Sequence, residues 1–250
     1  MRSGPARTGH VGRAGSACGV TLEDVTPELA ARIVADSRDR VAWVRARSRG
    51  ITATDVASLT SAKAIAKAAD AKLMGSGFSG NAYTAHGRIR EPEIARWVAA
   101  THGILPSSAL FHAVVEKRHL ATPDGVVVDA QGRVILCEIK TTNKSWRSIP
   151  RPYMRQVWWQ QHVLGAERTL VAWEEHSDFV PVGDEPRCEW VDRDEVEIAK
   201  LVALATSLID ELHRRTTLRP LAGPPSAHPD GRMPRPPAPR EPFRALALAD

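Results

Sequence analysis

The stretch Ala121-Thr122-Pro123-Asp124-Gly125, with Glu138-Ile139-Lys140 following thirteen residues after Gly125, decides the reading of this chain. Residues 125–128 and 134–139 are short and rich in β-branched side chains, which predicts two strands. Ala130-Gln131-Gly132 between them suits a three-residue hairpin with glycine in the left-handed position. That turn sets Asp129 opposite Arg133 and Asp124 opposite Glu138. Facing residues of an antiparallel pair point to the same side, with Cβ atoms about 4.5–5.5 Å apart. Lys140 projects from that same face roughly 7 Å along the strand. Cys137 and Ile139 then point into the opposite, apolar layer.

Two facing carboxylates repel unless a cation lies between them or one stays protonated. Mg²⁺ would relieve the conflict, because it prefers oxygen ligands and keeps several waters. It can polarise a phosphate and supply a nucleophilic water, while Lys140 orients that water or stabilises developing charge. The same spacing also suits a plain Asp–Lys–Glu salt-bridge ladder on the surface. A further acid, Glu91, lies in His86-Gly87-Arg88-Ile89-Arg90-Glu91-Pro92-Glu93, where Pro92 predicts a break or kink just after Glu91. Read alone, Glu91 and Glu93 are solvent-facing helical acids.

Composition bounds the class. A chain of 250 residues has room for one generous domain with appendages. It lacks the run of about 18–20 apolar residues that a membrane helix needs. Its first twenty residues hold Arg2, Arg7 and Arg13 but no apolar signal-peptide block. The three cysteines, Cys18, Cys137 and Cys188, are scattered and form no CxxC or Cys/His ligand spacing, which fits reduced thiols in a cytoplasm. The net charge of +5 comes largely from the ends. Removing the eight basic and three acidic residues of 1–20 and 217–250 from totals of 34 and 29 leaves 26 of each sign. Attraction for a polyanion must therefore come from local patches. Two exist. One spans Arg38, Arg40, Arg45, Arg47 and Arg49; the other spans Arg133, Lys140, Lys144, Arg147, Arg151 and Arg155. Of the seven tryptophans, Trp146 in the basic loop after Lys140 is the candidate for nucleic-acid contact.

The chain divides into a disordered basic leader (1–20), a folded core (21–216) and a Pro-rich flexible tail (217–250) with nine of the eighteen prolines. Within the core, Thr26-Pro27-Glu28 predicts a helix that runs through Leu29, Ile33, Val41 and Val44 to Gly50. A second helix is expected from Thr54-Asp55 through Val56 and Leu59 into an Ala/Lys-rich stretch. Residues 75–80 read as a loop, and a third helix is expected from Asn81 to His102, closed by Gly103. Residues 110–115 add a strand. A helix over 152–164, strands over 168–175 and 189–191, and a last helix begun by Asp192 with Glu195 complete the pattern. On the 152–164 helix, Tyr153, Val157, Gln160 and Leu164 share a face with Gln156 at its edge. Both amides also suit core positions bonded to backbone.

Five blocks in order resemble the YqaJ-like viral recombinase nucleases, which include the lambda-type exonucleases within the PD-(D/E)xK superfamily. They are Arg47-Ser48-Arg49-Gly50-Ile51-Thr52-Ala53-Thr54-Asp55, Gly87-x-x-x-Glu91, Thr122-Pro123-Asp124-Gly125, Glu138-Ile139-Lys140 and Tyr153-Met154-Arg155-Gln156-Val157. The resemblance implies an α/β (α+β) fold with a restriction-endonuclease-like core, a central mixed β-sheet flanked by helices. It implies Glu91, Asp124, Glu138 and the Ile139 carbonyl as Mg²⁺ ligands, with Mn²⁺ as a substitute, and Asp124, Glu138 and Lys140 as catalytic residues. It also implies that Arg47, Thr54 and Gln156, with Tyr153 from the same block, grip DNA and its 5′ phosphate. The departures are Trp158 where a second glutamine is usual, Glu116 as no more than a candidate for the acid common on the strand before Thr122, and Thr54 in place of serine.

The expected activity is a Mg²⁺-dependent 5′→3′ exonuclease on double-stranded DNA ends, partnered by a single-strand annealing protein in phage-type recombination. No membrane is involved, the compartment is a (host) cytoplasm, and a homo-oligomeric trimer is implied by resemblance alone. The alternatives are a repair or restriction-type endonuclease on the same core, and a non-catalytic DNA-binding scaffold.

Overall fold

Residues 25–75 and 81–217 are described by the structure, a computed structural model. The helices are α1 (Pro27–Ala30), α2 (Arg40–Ser48), α3 (Ala53–Ser58), α4 (Ala62–Met74), α5 (Ala82–His102), α6 (Arg151–Leu164) and α7 (Glu195–Thr217). The strands β1 (Ile33–Asp36), β2 (Ile51–Thr52), β3 (Leu105–Pro106), β4 (Ala109–His112) and β5 (His119–Ala121) precede the predicted hairpin. That hairpin is β6 (Gly125–Val128) and β7 (Val134–Thr142), and β8 (Arg168–Ser177), β9 (Val180–Pro181) and β10 (Arg187–Asp192) follow. The leader at 1–20, the 76–80 part of the expected loop and the tail beyond Thr217 lie outside the described residues.

The hairpin sets the frame. Gly132 closes its turn in the left-handed region, with φ 78°, and donates its N–H to the Asp129 carbonyl at 2.9 Å. The register follows: Val128 faces Val134, Val126 faces Leu136 and Gly125 faces Cys137. This is the expected pairing. β7 is the central strand of a mixed sheet ordered β10-β8-β7-β6-β3, antiparallel to β6 and parallel to β8. A second, smaller sheet of order β1-β4-β5-β2 stands beside it.

Each face of β7 packs on a different helix. Cys137 and Ile139 meet Ile94, Ala95 and Val98 of α5, the apolar layer foreseen for them. Leu136 belongs to a larger core with Val157, Trp159, Val163 and Leu164 of α6. Burial of such side chains at about 1.5–3 kcal/mol each is what holds both helices on the sheet. Helix α6 is further fixed at its C-terminal end, where four carbonyls would otherwise lack partners. Arg32 donates to the carbonyls of Val163 (2.8 Å) and Leu164 (2.9 Å), and Arg193 donates to that of Gln161 (2.7 Å). The Trp159 indole donates to the Leu120 carbonyl at 3.0 Å and ties α6 to β5.

Several expectations are corrected. The first predicted helix stops after Ala30, and the chain extends as β1, which pairs antiparallel with β4. Ile33 fits helical spacing in the sequence, but it lies opposite Phe111 across the small sheet. Asp39 then caps a separate α2 through the Ala42 N–H. The second predicted helix is two: α3 is capped by Thr52 with Asp55, not by Thr54, and Ser61 starts α4 anew. Helix α5 runs from its Asn81 cap to Gly103 as expected, but it continues unbroken through Pro92. The last helix takes its cap from Asp194, whose carboxylate accepts from the N–H groups of Val196 and Glu197, so Asp192 remains in β10. Among the described residues no helix is long and apolar enough to cross a membrane, as expected. Cys137 and Cys188 are free thiols.

Candidate active site

The site forms where β6 and β7 part. Pro123 has no N–H and cannot continue the ladder beyond Gly125. Asp124 steps into the gap: its N–H donates to the Cys137 carbonyl (3.1 Å) and its carbonyl accepts from the Ser107 N–H (2.9 Å). Its Oδ2 accepts the Ile139 N–H at 2.6 Å, taking the bond that a next strand residue would have made. The Asp124 carboxylate is thereby fixed against β7, one residue from both Glu138 and Lys140.

Glu138 is 3% exposed and points towards α6. Its Oε1 receives the Lys140 ammonium, and its Oε2 accepts from Gln160 Nε2 at 2.6 Å. The Lys140 Nζ also sits 5.4 Å from the centre of the Tyr153 ring. Glu91 reaches the same field from α5, surface-accessible yet crowded enough by protein to be partly desolvated.

The electrostatics follow from this crowding. Burial pushes the Asp124 carboxyl well above the usual carboxylate range. The charges of Glu138 and Glu91 add to the rise; Lys140 and the Ile139 N–H oppose it. Glu91 is raised too, by partial desolvation and by Glu138, with Lys140 and Arg88 opposing. Burial alone would lower the Lys140 ammonium, but Glu138 and Asp124 outweigh it and hold its pKa above the ordinary lysine value. Three acids thus share Lys140, with Arg88 near Glu91, and the group stays net negative, in need of positive charge.

That deficit, and the donor chemistry, fit a hard divalent cation. Glu91, Asp124, Glu138 and the Ile139 carbonyl offer oxygen only, which suits Mg²⁺ or Mn²⁺ and not a soft metal. Among the described residues no three His, Cys, Asp or Glu side chains converge at ligand spacing. Glu138 is turned to Lys140 and Gln160, and Asp124 to the Ile139 amide.

The residues expected to hold phosphate come from three helices. Arg47 lies half-buried on α2, its guanidinium 4.3 Å over the Trp43 ring. Burial lowers its pKa, and the nearby Asp55 charge partly offsets this. Thr54 is exposed on α3, and Gln156 and Tyr153 are half-buried on α6. Arg155 joins the last two helices by donating to the carbonyls of Val56 (2.9 Å) and Leu59 (2.7 Å) at the end of α3. Trp43 in turn donates its indole N–H to the Thr122 hydroxyl at 3.3 Å, linking α2 to the segment that carries Asp124.

Three sequence readings change. Trp146 is 8% exposed and packs between Tyr153 and Trp173, so it is a core residue and not a DNA contact. Glu116 is taken by Arg118 in the turn before β5. The second basic patch divides, because Arg133 pairs with Asp129 at the far hairpin end, Arg151 with Glu197, and Arg155 serves α3. Gln160, absent from the expected site, is the residue that holds Glu138. Its place on the Tyr153–Val157–Leu164 face was the only sequence signal of that role.

The sequence of residues 42–167 matches the model of the YqaJ-like viral recombinase domain. Among solved structures, the alkaline exonuclease LHK-Exo from Laribacter hongkongensis is 24% identical, with a TM-score of 0.56 over 70% of this chain and 93% of that one. The same exonuclease in complex with dAMP aligns equally well, over 96% of its chain. A phage related exonuclease from Haemophilus somnus 129PT is 14% identical, with a TM-score of 0.52 over 67% of this chain and 96% of that one. No curated protein sequence matches the chain. The fold is therefore the one these exonucleases share, and the chain belongs to the YqaJ-like viral recombinase domain family.

Proposed function

We propose that this protein is a divalent-metal-dependent DNA exonuclease that degrades duplex ends 5′→3′ and works beside a single-strand annealing partner in recombination. The observation that carries the reading is the Asp124 carboxylate locked to the Ile139 amide, next to a Glu138 fixed by Lys140 and Gln160. Membership of a viral recombinase family supports the recombination context. Mg²⁺, held by Glu91, Asp124, Glu138 and the Ile139 carbonyl, would supply Lewis-acid activation of water and phosphate. The chain's own contributions are separate. Lys140, whose ammonium Glu138 and Asp124 favour, would place positive charge at the developing phosphorane. Arg47, Thr54, Tyr153 and Gln156 would grip the strand and its terminal phosphate, with the Arg47 guanidinium suited to phosphate oxygens. We assign the activity to a domain spanning 21–216 in a cytoplasmic setting, between the leader and the tail.

The test is Glu138→Ala on end-labelled linear duplex with Mg²⁺. Digestion is expected to fall by at least about 100-fold, as when a transition-state contact is removed. Undiminished digestion overturns the mechanism. Duplexes labelled at the 5′ or the 3′ terminus read polarity in the same assay. Closed circular DNA should survive, and its cleavage would favour an endonuclease on the same core.

A further inference from the structure

Helix α5 brings Glu91 to the site, yet its apolar anchor lies further along. The buried apolar side chains of α5 are Ile94, Ala95 and Val98, which pack with Cys137, Ile139, Leu170 and Ala172. No residue from Gly87 to Glu93 is fully buried. Pro92 weakens the same turn, because it has no N–H for the Arg88 carbonyl and its ring crowds that oxygen. The turn that carries Glu91 therefore needs support beyond apolar packing.

Two contacts supply it. The Arg90 guanidinium donates to both oxygens of Glu174, from Nε at 2.9 Å and from Nη2 at 2.7 Å, and its Nη1 meets Glu93. Glu174 is 6% exposed on β8 and stands opposite Thr141, the residue after Lys140 on β7. About one turn earlier, Gly87 lets α5 approach β7 closely: a Cβ there would come within 3.3 Å of the Thr141 hydroxyl. The stretch is thus registered against neighbouring positions of β7 and β8, on the strand that carries Glu138 and Lys140 and on the one beside it.

A buried ion pair is weak support for stability, since desolvation offsets much of the attraction. What a two-pronged guanidinium–carboxylate bond adds is direction. Apolar contact is non-directional, whereas a bidentate bond to a strand residue fixes the rotation of the helix about its own axis. Glu91 follows Arg90 by about 100° around that axis, so the pair sets the direction in which the Glu91 carboxylate leaves α5. Without Glu174, the Arg90 charge would turn to the acids of its own helix, Glu91 among them.

We propose that Arg90 and Glu174 are positioning residues of the metal site, whose ion pair aims Glu91 at the cation that Asp124 and Glu138 would share. The proposal rests on the metal-dependent nuclease reading above. The full chain is tested with Glu174→Gln, which keeps the side-chain size and loses the second acceptor. Two quantities are read. One is the Mg²⁺ concentration giving half-maximal digestion of linear duplex; the other is that giving half the Mg²⁺-induced rise in melting temperature without DNA. Both are expected to increase about 10- to 100-fold, the usual cost of removing a partner that orients a metal ligand, while kcat at saturating Mg²⁺ falls far less. Arg90→Lys keeps the charge and cannot form the fork, so it should shift both in the same direction, and it serves if Glu174→Gln folds poorly. Unchanged Mg²⁺ dependence in both variants overturns the proposal. A loss of kcat or melting temperature with no shift in Mg²⁺ dependence overturns it too, since that marks a merely structural pair. Glu91→Gln in parallel keeps the two readings apart: no shift there sinks the metal role of Glu91 itself, whereas a shift there with none in Glu174→Gln or Arg90→Lys sinks the pair alone.

Discussion

Gln160 Nε2 donates a 2.6 Å hydrogen bond to Glu138 Oε2, so α6 holds one oxygen of the carboxylate whose other oxygen receives Lys140. Gln160 is 3% exposed on a helix whose C-terminal carbonyls are taken by Arg32 and Arg193, which makes the donor rigid. On the proposed mechanism it acts through Glu138 as a positioning residue. Gln160→Ala is expected to lower kcat by about 10- to 100-fold, the usual cost of losing the partner of a metal-site ligand. KM for duplex ends should change little. Gln160→Glu should lose more, because two carboxylates would then meet inside the protein. Steady-state kinetics with an unchanged kcat in both variants would remove this role.

Lys140 separates charge from proton transfer. Its ammonium is held above the ordinary lysine range by Glu138 and Asp124 against the opposing effect of burial. On the proposed mechanism its part is that of a fixed positive charge. Lys140→Ala is expected to lower kcat by about 100- to 1,000-fold while leaving DNA affinity near normal, as for other transition-state donors. Single-turnover rates and filter binding measure the two quantities separately. Full activity in the variant would exclude Lys140 from catalysis.

With the proposed metal site, Asp124 would link stability to metal. Its carboxyl is disfavoured as an anion by burial and by the Glu138 and Glu91 charges, so the metal-free protein bears a repulsion that a cation would relieve. Asp124→Asn keeps an oxygen for the Ile139 N–H and removes the charge. Thermal melts should show the variant more stable than the unaltered protein without metal, and insensitive to Mg²⁺. The unaltered protein should gain stability as Mg²⁺ is added. A variant that melts lower without metal, or that responds to Mg²⁺ as the unaltered protein does, contradicts this account.

These contrasts also indicate which parts of the molecule are legible in the chain. The β6–β7 register was readable because one local device, Gly132 in a tight turn, fixes every pair that follows. Helix α5 was readable from Asn81 and Gly103 at its ends. β1 was not: Ile33 sits at a spacing that serves a helix equally well, and only the distant Phe111 decides between them. Gln160 is a similar case, since an amide on an apolar helix face reads as core until its partner across the sheet is seen. Trp146 erred in the other direction. Its basic loop suggested solvent, whereas Tyr153 and Trp173 bury it.

The buried His119 and half-buried His162 form a pair expected to weaken the fold at low pH. His119 Nδ1 lies 3.1 Å from His162 Nε2, with Trp159 packed against both rings. Burial, with the His162 and Arg118 charges and against that of Glu116, lowers His119 to about 4. Burial also lowers His162, as does Arg193, while Glu195 opposes. In the unfolded chain both imidazoles titrate near about 6.5, so between pH 6.5 and 4 the unfolded state binds more protons. Stability from this pair is therefore complete above about pH 6.5 and is lost progressively as the pH falls towards 4. His119→Asn retains a group able to bond His162 and removes one titration. The melting temperature of the unaltered protein should decline more steeply than that of His119→Asn from pH 7 to 5. Parallel profiles would show that the pair does not govern acid stability.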